Sequence, residues 1–271
     1  MTGRAVRGGS GCWFQPADVD PDARARVFLF PCAGGNAQMY REWPGLFPPG
    51  LAVQAVQLPG RLDRRAERPH TEMASLINAM TEAFAAELDG RPYAFFGHSM
   101  GALIAYRVAM ALEKESVGGP VLIGAAGWAP EGFVVPTREK LGLADSAMVD
   151  WIASLGSLPE AIYRDPEMLA LTIPPTRADL TLYINYADDG DDGAPISCPV
   201  ATYTGKSDPL MASGAMTSWG GRSAAHLGNC EFPGGHFFIY QEAQAIAADL
   251  ARHIERVSAA SGRLSRALPG A

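Results

Sequence analysis

The stretch Tyr93–Met110 allows few folds. An apolar run, Tyr93-Ala-Phe-Phe96, leads into Gly97-His98-Ser99-Met100-Gly101 and then into Ala102-Leu-Ile-Ala-Tyr-Arg-Val-Ala-Met110. The first run reads as a short buried strand and the last as a helix. A serine in a G-x-S-x-G frame between the two sits on a turn so sharp that its backbone is strained. Gly97 and Gly101 are needed there because a side chain would collide with the facing backbone or the incoming strand. The hydroxyl then stands clear of the sheet, above a helix N-terminus whose free N–H groups favour negative charge. A chance glycine–serine turn needs no such flanks, and this one has both.

Short apolar runs alternate with helical patterns on either side of this turn. Strands are expected at Val27–Pro31, Ala52–Leu58, Tyr93–Phe96, Val121–Gly124, Val200–Thr204 and Gly228–Phe232. Helices are expected at Gln38–Trp43, Met73–Leu88, Ala102–Glu113, Met211–Arg222 and Gln241–Ser258. In the last of these, Ile246, Leu250 and Ile254 recur at four-residue steps, with Ala243 and Ala247 on the same side. The alternation predicts an α/β fold, a mostly parallel sheet flanked by helices on both faces. A chain of 271 residues, 48% hydrophobic and 19% charged, suits one such domain. It is read as residues 12–257, between flexible, small and polar ends at 1–11 and 258–271. Residues 130–186 break the rhythm, with helical patterns at Ala147–Leu155 and Pro166–Leu171 but no strand. That segment is too long for a plain connection and too apolar for a solvated loop. It reads as a helical lid insertion over the C-terminal edge of the sheet, with ordinary covering helices as the alternative.

Several function classes drop out. The net charge of −7 argues against nucleic acid, which wants clustered basic charge. No apolar run reaches the ~18 residues that a membrane span requires. Met1–Ser10 carries charge without an apolar core, so no signal peptide is expected there. Cys12, Cys32, Cys198 and Cys230 are far apart and read as isolated thiols in a reducing compartment, neither a disulfide framework nor a metal site. The acidic run Asp188–Gly193 lacks the ligand spacing and late glutamate of a calcium loop and reads as a solvated turn. No metal or redox cofactor is called for.

A serine hydroxyl is a poor nucleophile at neutral pH, so it needs a base, and the base needs an orienting partner. On this plan the chain order is serine, acid, histidine. Of five histidines, His70 precedes the serine, and the elbow should turn His98 away from the Ser99 hydroxyl. His226 and His253 suit packing or surface roles. His236 lies in Phe232-Pro-Gly-Gly-His-Phe-Phe-Ile239, on a glycine-rich loop at the C-terminal end of a strand, where ligands meet open α/β sheets. It is the expected base. The acid should follow an earlier strand, and Val200-Ala-Thr-Tyr-Thr-Gly-Lys-Ser-Asp208-Pro fits. The acidic run at Asp188–Asp192 precedes that strand and is the weaker competitor. An oxyanion hole needs two donors. The elbow supplies the Met100 N–H, and the loop Phe30-Pro-Cys-Ala-Gly-Gly35 supplies a second, expected from Ala33. That loop lacks the lysine and glycine spacing of a phosphate cradle.

The chain resembles the free-standing type II thioesterases of polyketide and nonribosomal peptide biosynthesis. The resemblance rests on Phe30–Trp43, Leu58-Pro-Gly-Arg-Leu-Asp-Arg-Arg-Ala-Glu67, Phe96–Ala102, Pro175-Thr-Arg-Ala-Asp-Leu180, Gly205–Pro209 followed by Trp219, and Gly234-Gly-His-Phe-Phe238. The P-G-R and R-A-D segments separate this family from general lipases and esterases, which share only the elbow. The resemblance implies an α/β-hydrolase fold with a helical lid and a Ser99–Asp208–His236 triad, with Ala33 and Met100 as oxyanion donors. It also implies a cytoplasmic editing enzyme that frees acyl groups from the phosphopantetheine arm of an acyl or peptidyl carrier protein. Cys32 departs from the histidine or larger residue usual at that position, so the pocket beside it should differ. Trp128, Phe133, Met148 and Trp151 are candidates for the pocket and lid. Arg61, Arg64, Arg65 and Arg68 could receive an acidic carrier; a solvated loop self-neutralised by Asp63 and Glu67 is the alternative. A product-releasing thioesterase and a carboxylesterase or lipase would use the same triad.

Overall fold

Ala25-Arg-Val-Phe-Leu-Phe30 is buried at every position, the mark of a strand covered on both faces. Phe28 and Phe30 pack to one side with Phe84 and Phe95, while Val27 and Leu29 pack to the other with Phe96 and Leu250. The computed structural model describes residues 12–156, 165–189 and 193–260. Its strands are β1 (Phe14–Gln15), β2 (Ala25–Phe30), β3 (Leu51–Val56), β4 (Tyr93–His98), β5 (Leu122–Ala126), β6 (Val200–Gly205) and β7 (His226–Phe232). They form one sheet in the order β1-β3-β2-β4-β5-β6-β7. Every pairing is parallel except β1 with β3. The sequence misses β1 because two residues are too short to show alternation.

Helices α1 (Met73–Glu87) and α2 (Met100–Lys114) cover one face. Helix α5 (Ala243–Ala260) covers the other through Ile246, Leu250 and Ile254. It outruns the expected end at Ser258, which is fully buried, so 258–260, expected in a flexible tail, are helical. Residues 261–271, like 1–11 and 190–192 of the acidic run, lie outside the described residues. Two other expected helices are 3-10 turns instead, Ala37–Tyr40 with Trp43–Leu46, and Ala215–Gly221. Pro44 and the glycines of Trp219-Gly-Gly221 shorten them.

Between β5 and β6 the described residues form α3 (Asp145–Ser154) and α4 (Pro166–Asp189). Helix α4 runs far past the expected Leu171, through Pro174 and Pro175. Interior prolines cost helix hydrogen bonds, so tertiary packing holds this one: Ile173 and Leu180 bury against Met148, and Leu182 and Tyr183 join the main core. Among the described residues no helix is long and apolar enough to cross a membrane.

Candidate active site

The elbow has the geometry its glycines predict. A Cβ on Gly97 would lie 2.3 Å from the Gly101 carbonyl oxygen, and one on Gly101 would lie 2.2 Å from that of Phe30. Ser99 holds φ 55° and ψ −123°, a conformation that an L side chain rarely adopts, and its N–H donates to the Ala126 carbonyl at 2.7 Å. Met100 opens α2, so its N–H has no carbonyl one turn back to bond.

Strands β6 and β7 each end in a loop, and the two loops are tied together. Ser207 N–H donates to Gly234 O at 3.0 Å, and Gly205 leaves no room for a Cβ, which would sit 2.3 Å from Gly235 O. His236 Nδ1 thereby reaches Asp208 Oδ2 at 2.8 Å, and Leu210 N–H donates to Oδ1 at 2.9 Å. The carboxylate accepts, so Nδ1 carries a proton, and in the neutral ring Nε2 is the nitrogen with the free lone pair. From the covering helices, the Leu155 carbonyl accepts His236 N–H at 2.8 Å. Ser99, Met100 and His236 line one cavity of about 60 Å³, walled by Phe133, Trp151 and Phe237. No hydrogen bond joins Ser99 to His236 among the described residues. The His236–Asp208 half of the arrangement is preformed, whereas catalytic contacts to the nucleophile commonly tighten only with substrate.

His98 is a site residue whose role the sequence does not reveal. Its ring is fully buried beside His236, and Nε2 donates to the His236 carbonyl at 2.8 Å. Burial, and then the neighbouring His236, hold its pKa well below the usual 6.5.

The loop after β2 carries Ala33, which lines the same cavity. Its N–H has no acceptor among the described residues, whereas Gly34 N–H donates to Asp179 Oδ2 at 2.8 Å. Asp179 lies on α4 and pairs with Arg61 through two hydrogen bonds of 2.7 Å. Arg61 is therefore interior and is no surface cation. Arg64 is likewise buried, donating to Gln57 O and Glu67 and lying over the Trp13 ring at 3.9 Å. Of the four arginines expected to face a carrier, only Arg65 and Arg68 are exposed. No local pattern separates the buried pair from the exposed pair, because all four sit in one polar-looking run.

Cys32, Phe133 and Trp151 line the cavity, and Leu180, Tyr183 and Leu210 are lining residues the sequence did not single out. Two expected pocket residues belong elsewhere. Trp128 donates from its indole to Tyr183 OH at 2.7 Å and packs on Trp219 in the main core. Met148 is buried against Ile173 and Leu180, inside the pair of covering helices. The Cys32 thiol is pushed up to about 12, first by burial and then by the Asp179 charge, so it stays protonated. A second cavity of about 280 Å³ shares Cys32, Ala33 and Thr176 with the first and extends past Met168 and Tyr240.

A family model for the thioesterase domain matches residues 25–257. Over 84% of its length the chain is 32% identical to the gramicidin S biosynthesis protein GrsT of Aneurinibacillus migulanus, covering 88% of that protein. It is similar to the solved RedJ thioesterase from the prodiginine pathway of Streptomyces coelicolor, at 30% identity and a TM-score of 0.79, over 92% of this chain and 91% of that one. It is also similar to the type II thioesterase BorB from the borrelidin cluster, at 26% identity and a TM-score of 0.79, over 92% of this chain and 100% of that one. The sheet, with its one antiparallel edge strand, is the α/β-hydrolase fold of these enzymes. The match runs from the first long strand into the last helix and is not confined to the elbow, so the chain belongs to the thioesterase family and is a hydrolase of thioesters.

Proposed function

We propose that the chain hydrolyses acyl thioesters held on the phosphopantetheine arm of an acyl or peptidyl carrier protein, clearing stalled or aberrant groups from polyketide or nonribosomal peptide synthesis. The observation that carries the reading is the His236 Nδ1–Asp208 Oδ2 bond, which makes Nε2 the basic nitrogen of the neutral ring, with His236 and Ser99 lining one cavity. Ser99 is the nucleophile, His236 the base, and Asp208 the group that fixes the tautomer and supports the imidazolium. His236 takes the Ser99 proton as Oγ attacks the thioester carbon. The tetrahedral oxyanion accepts from the Met100 and Ala33 N–H groups. A thiol with pKa roughly 8.5 leaves with little acid help, and the His236 imidazolium gives its proton to the departing thiolate and is neutral again. Water, deprotonated by His236, then frees the acid from the acyl-serine. Helices α3 and α4 act as the lid, and Cys32, Phe133 and Trp151 shape the acyl pocket. The names of GrsT and BorB, tied to gramicidin S and borrelidin biosynthesis, support this substrate class. The four unpaired cysteines suit action in a reducing cytoplasm.

The test compares a carrier-bound acyl thioester with the matched oxygen ester, in wild type and in Ser99→Ala. The reading expects the thioester to be the better substrate and Ser99→Ala to lose about 10⁴-fold or more in kcat. Retained turnover in Ser99→Ala would overturn the assignment of the nucleophile, and preference for the oxygen ester would make the protein a carboxylesterase.

A further inference from the structure

The segments Leu58–Glu67 and Pro175–Leu180 lie far from the elbow in sequence, and they meet in one buried ion pair. Arg61 Nη1 donates to Asp179 Oδ2 and Nη2 to Oδ1, each at 2.7 Å, with both side chains almost wholly buried. Both partners also bond the loop after β2. Asp179 Oδ2 accepts Gly34 N–H at 2.8 Å, and Arg61 Nη1 donates to the Gly35 carbonyl at 3.0 Å. Gln57 extends the hold, accepting Ala37 N–H and donating to the Arg61 carbonyl, both at 2.9 Å. Thr176, one turn before Asp179 on α4, sits so close that a Cβ on Gly34 would lie 1.9 Å from its Oγ1.

Stability alone is a poor account of this pair. Desolvating two charges consumes most of what their attraction returns, and apolar replacements of such pairs are often neutral or stabilising. Here, moreover, the buried Arg61 Nε has no partner among the described residues. The loop bonds are what an apolar replacement would lose.

We propose that Arg61 and Asp179 are positioning residues that hold residues 33–35 so that the Ala33 N–H can serve the oxyanion. This rests on the reading of Ala33 as an oxyanion donor. It also makes α4 part of the catalytic apparatus: a helix lifted from its seat takes Asp179 and Thr176 away from the loop.

The experiment uses the full chain, a soluble acyl-pantetheine thioester, and an acyl trifluoromethyl ketone. Ser99 Oγ adds to the ketone carbonyl, its proton passes to His236, and the hemiketal oxygen then occupies the oxyanion position. The variants are Asp179→Asn and the apolar double replacement Arg61→Met with Asp179→Leu. The expected result is a fall in kcat of about 10²-fold with little change in KM, and an equal fall in ketone affinity. The double variant should melt no lower than about the wild-type midpoint. Folded variants with wild-type kcat and ketone affinity would overturn the proposal. A third protein carries lactate in place of Ala33, which changes only that N–H to an oxygen. If it too keeps wild-type kcat and ketone affinity, the oxyanion reading itself fails. If it loses both while the pair variants keep them, the positioning role alone fails.

Discussion

His98 and His236 are joined twice: Nε2 of His98 donates to the main-chain carbonyl of His236 at 2.8 Å, and the two rings lie with centroids 4.9 Å apart. The residue next to the elbow serine thus holds the backbone of the proposed base. The bond requires a proton on Nε2, burial disfavours a second one on Nδ1, and Nδ1 has no partner among the described residues. Glutamine at position 98 can carry a donor nitrogen to a similar place, whereas leucine cannot. His98→Leu should cost about 1–3 kcal/mol by stranding a buried carbonyl. It should also lower kcat, and His98→Gln should recover part of both losses. Equal kcat in the two variants would remove the positioning role.

The same histidine makes stability depend on pH. Its folded pKa lies well below 6.5, so between those two values the unfolded chain binds a proton that the folded chain refuses. Stability is therefore full above about 6.5 and declines as pH falls toward the folded value. His70 and His226 are shifted the same way, mainly by desolvation, but are only partly buried. Thermal midpoints measured from pH 8 down to 5 should fall in wild type and fall less steeply in His98→Gln. Parallel slopes would assign the effect to other groups.

Much of this site was legible in the sequence, and what was missed shares a cause. Ser99 follows a strand that shows itself by an apolar run, and the sharp loops that carry Ser99, Asp208 and His236 need glycine and so announce themselves. Arg61, Asp179 and His98 are polar residues turned inward. Their partners lie 118 and 138 positions away, and no local pattern signals a bond across that distance. Trp128 and Met148 failed in the opposite sense: large apolar residues near a pocket in sequence serve equally well as core. The P-G-R and R-A-D segments distinguish the family in sequence; in the fold Arg61 and Asp179 from them grip the loop beside the nucleophile.

Cys32 lines the cavity with a thiol pushed up to about 12, so almost none of it is thiolate at neutral pH. Iodoacetamide at pH 8 should modify the exposed Cys12 well before Cys32, and hydrolysis should persist throughout. Cys32→Ala should keep turnover, while the longer Cys32→Met should shift preference toward shorter acyl groups by filling the shared wall of the two cavities. A loss in Cys32→Ala as large as that in Ser99→Ala would instead make Cys32 a participant in the chemistry.

The arginine run now separates into two tests. Arg65 and Arg68 are exposed and can meet an acidic carrier, so Arg65→Glu with Arg68→Glu should raise KM for a carrier-bound thioester and leave a small thioester unaffected. Equal effects on both substrates would discard a docking role for this loop. Arg64→Glu answers a different question. It would bury a carboxylate beside Glu67 and strip the cation from the Trp13 ring, so it should lower the melting midpoint by several degrees whatever the substrate.

Ser99 holds its hydroxyl at a conformational cost that can be measured. A non-glycine residue at φ 55° and ψ −123° stores about 1–3 kcal/mol. Glycine relieves that strain but gives the unfolded chain back about 0.5–1 kcal/mol of entropy. The balance favours Ser99→Gly by about 1 kcal/mol, or about 2 °C in melting midpoint for a domain of this size. Alanine keeps the Cβ, and with it the strain, so Ser99→Ala should melt near wild type. Both variants should lack the acyl-enzyme. Calorimetry on the three proteins decides the matter: a glycine variant that melts no higher than the alanine variant would mean that the elbow holds no strain to release.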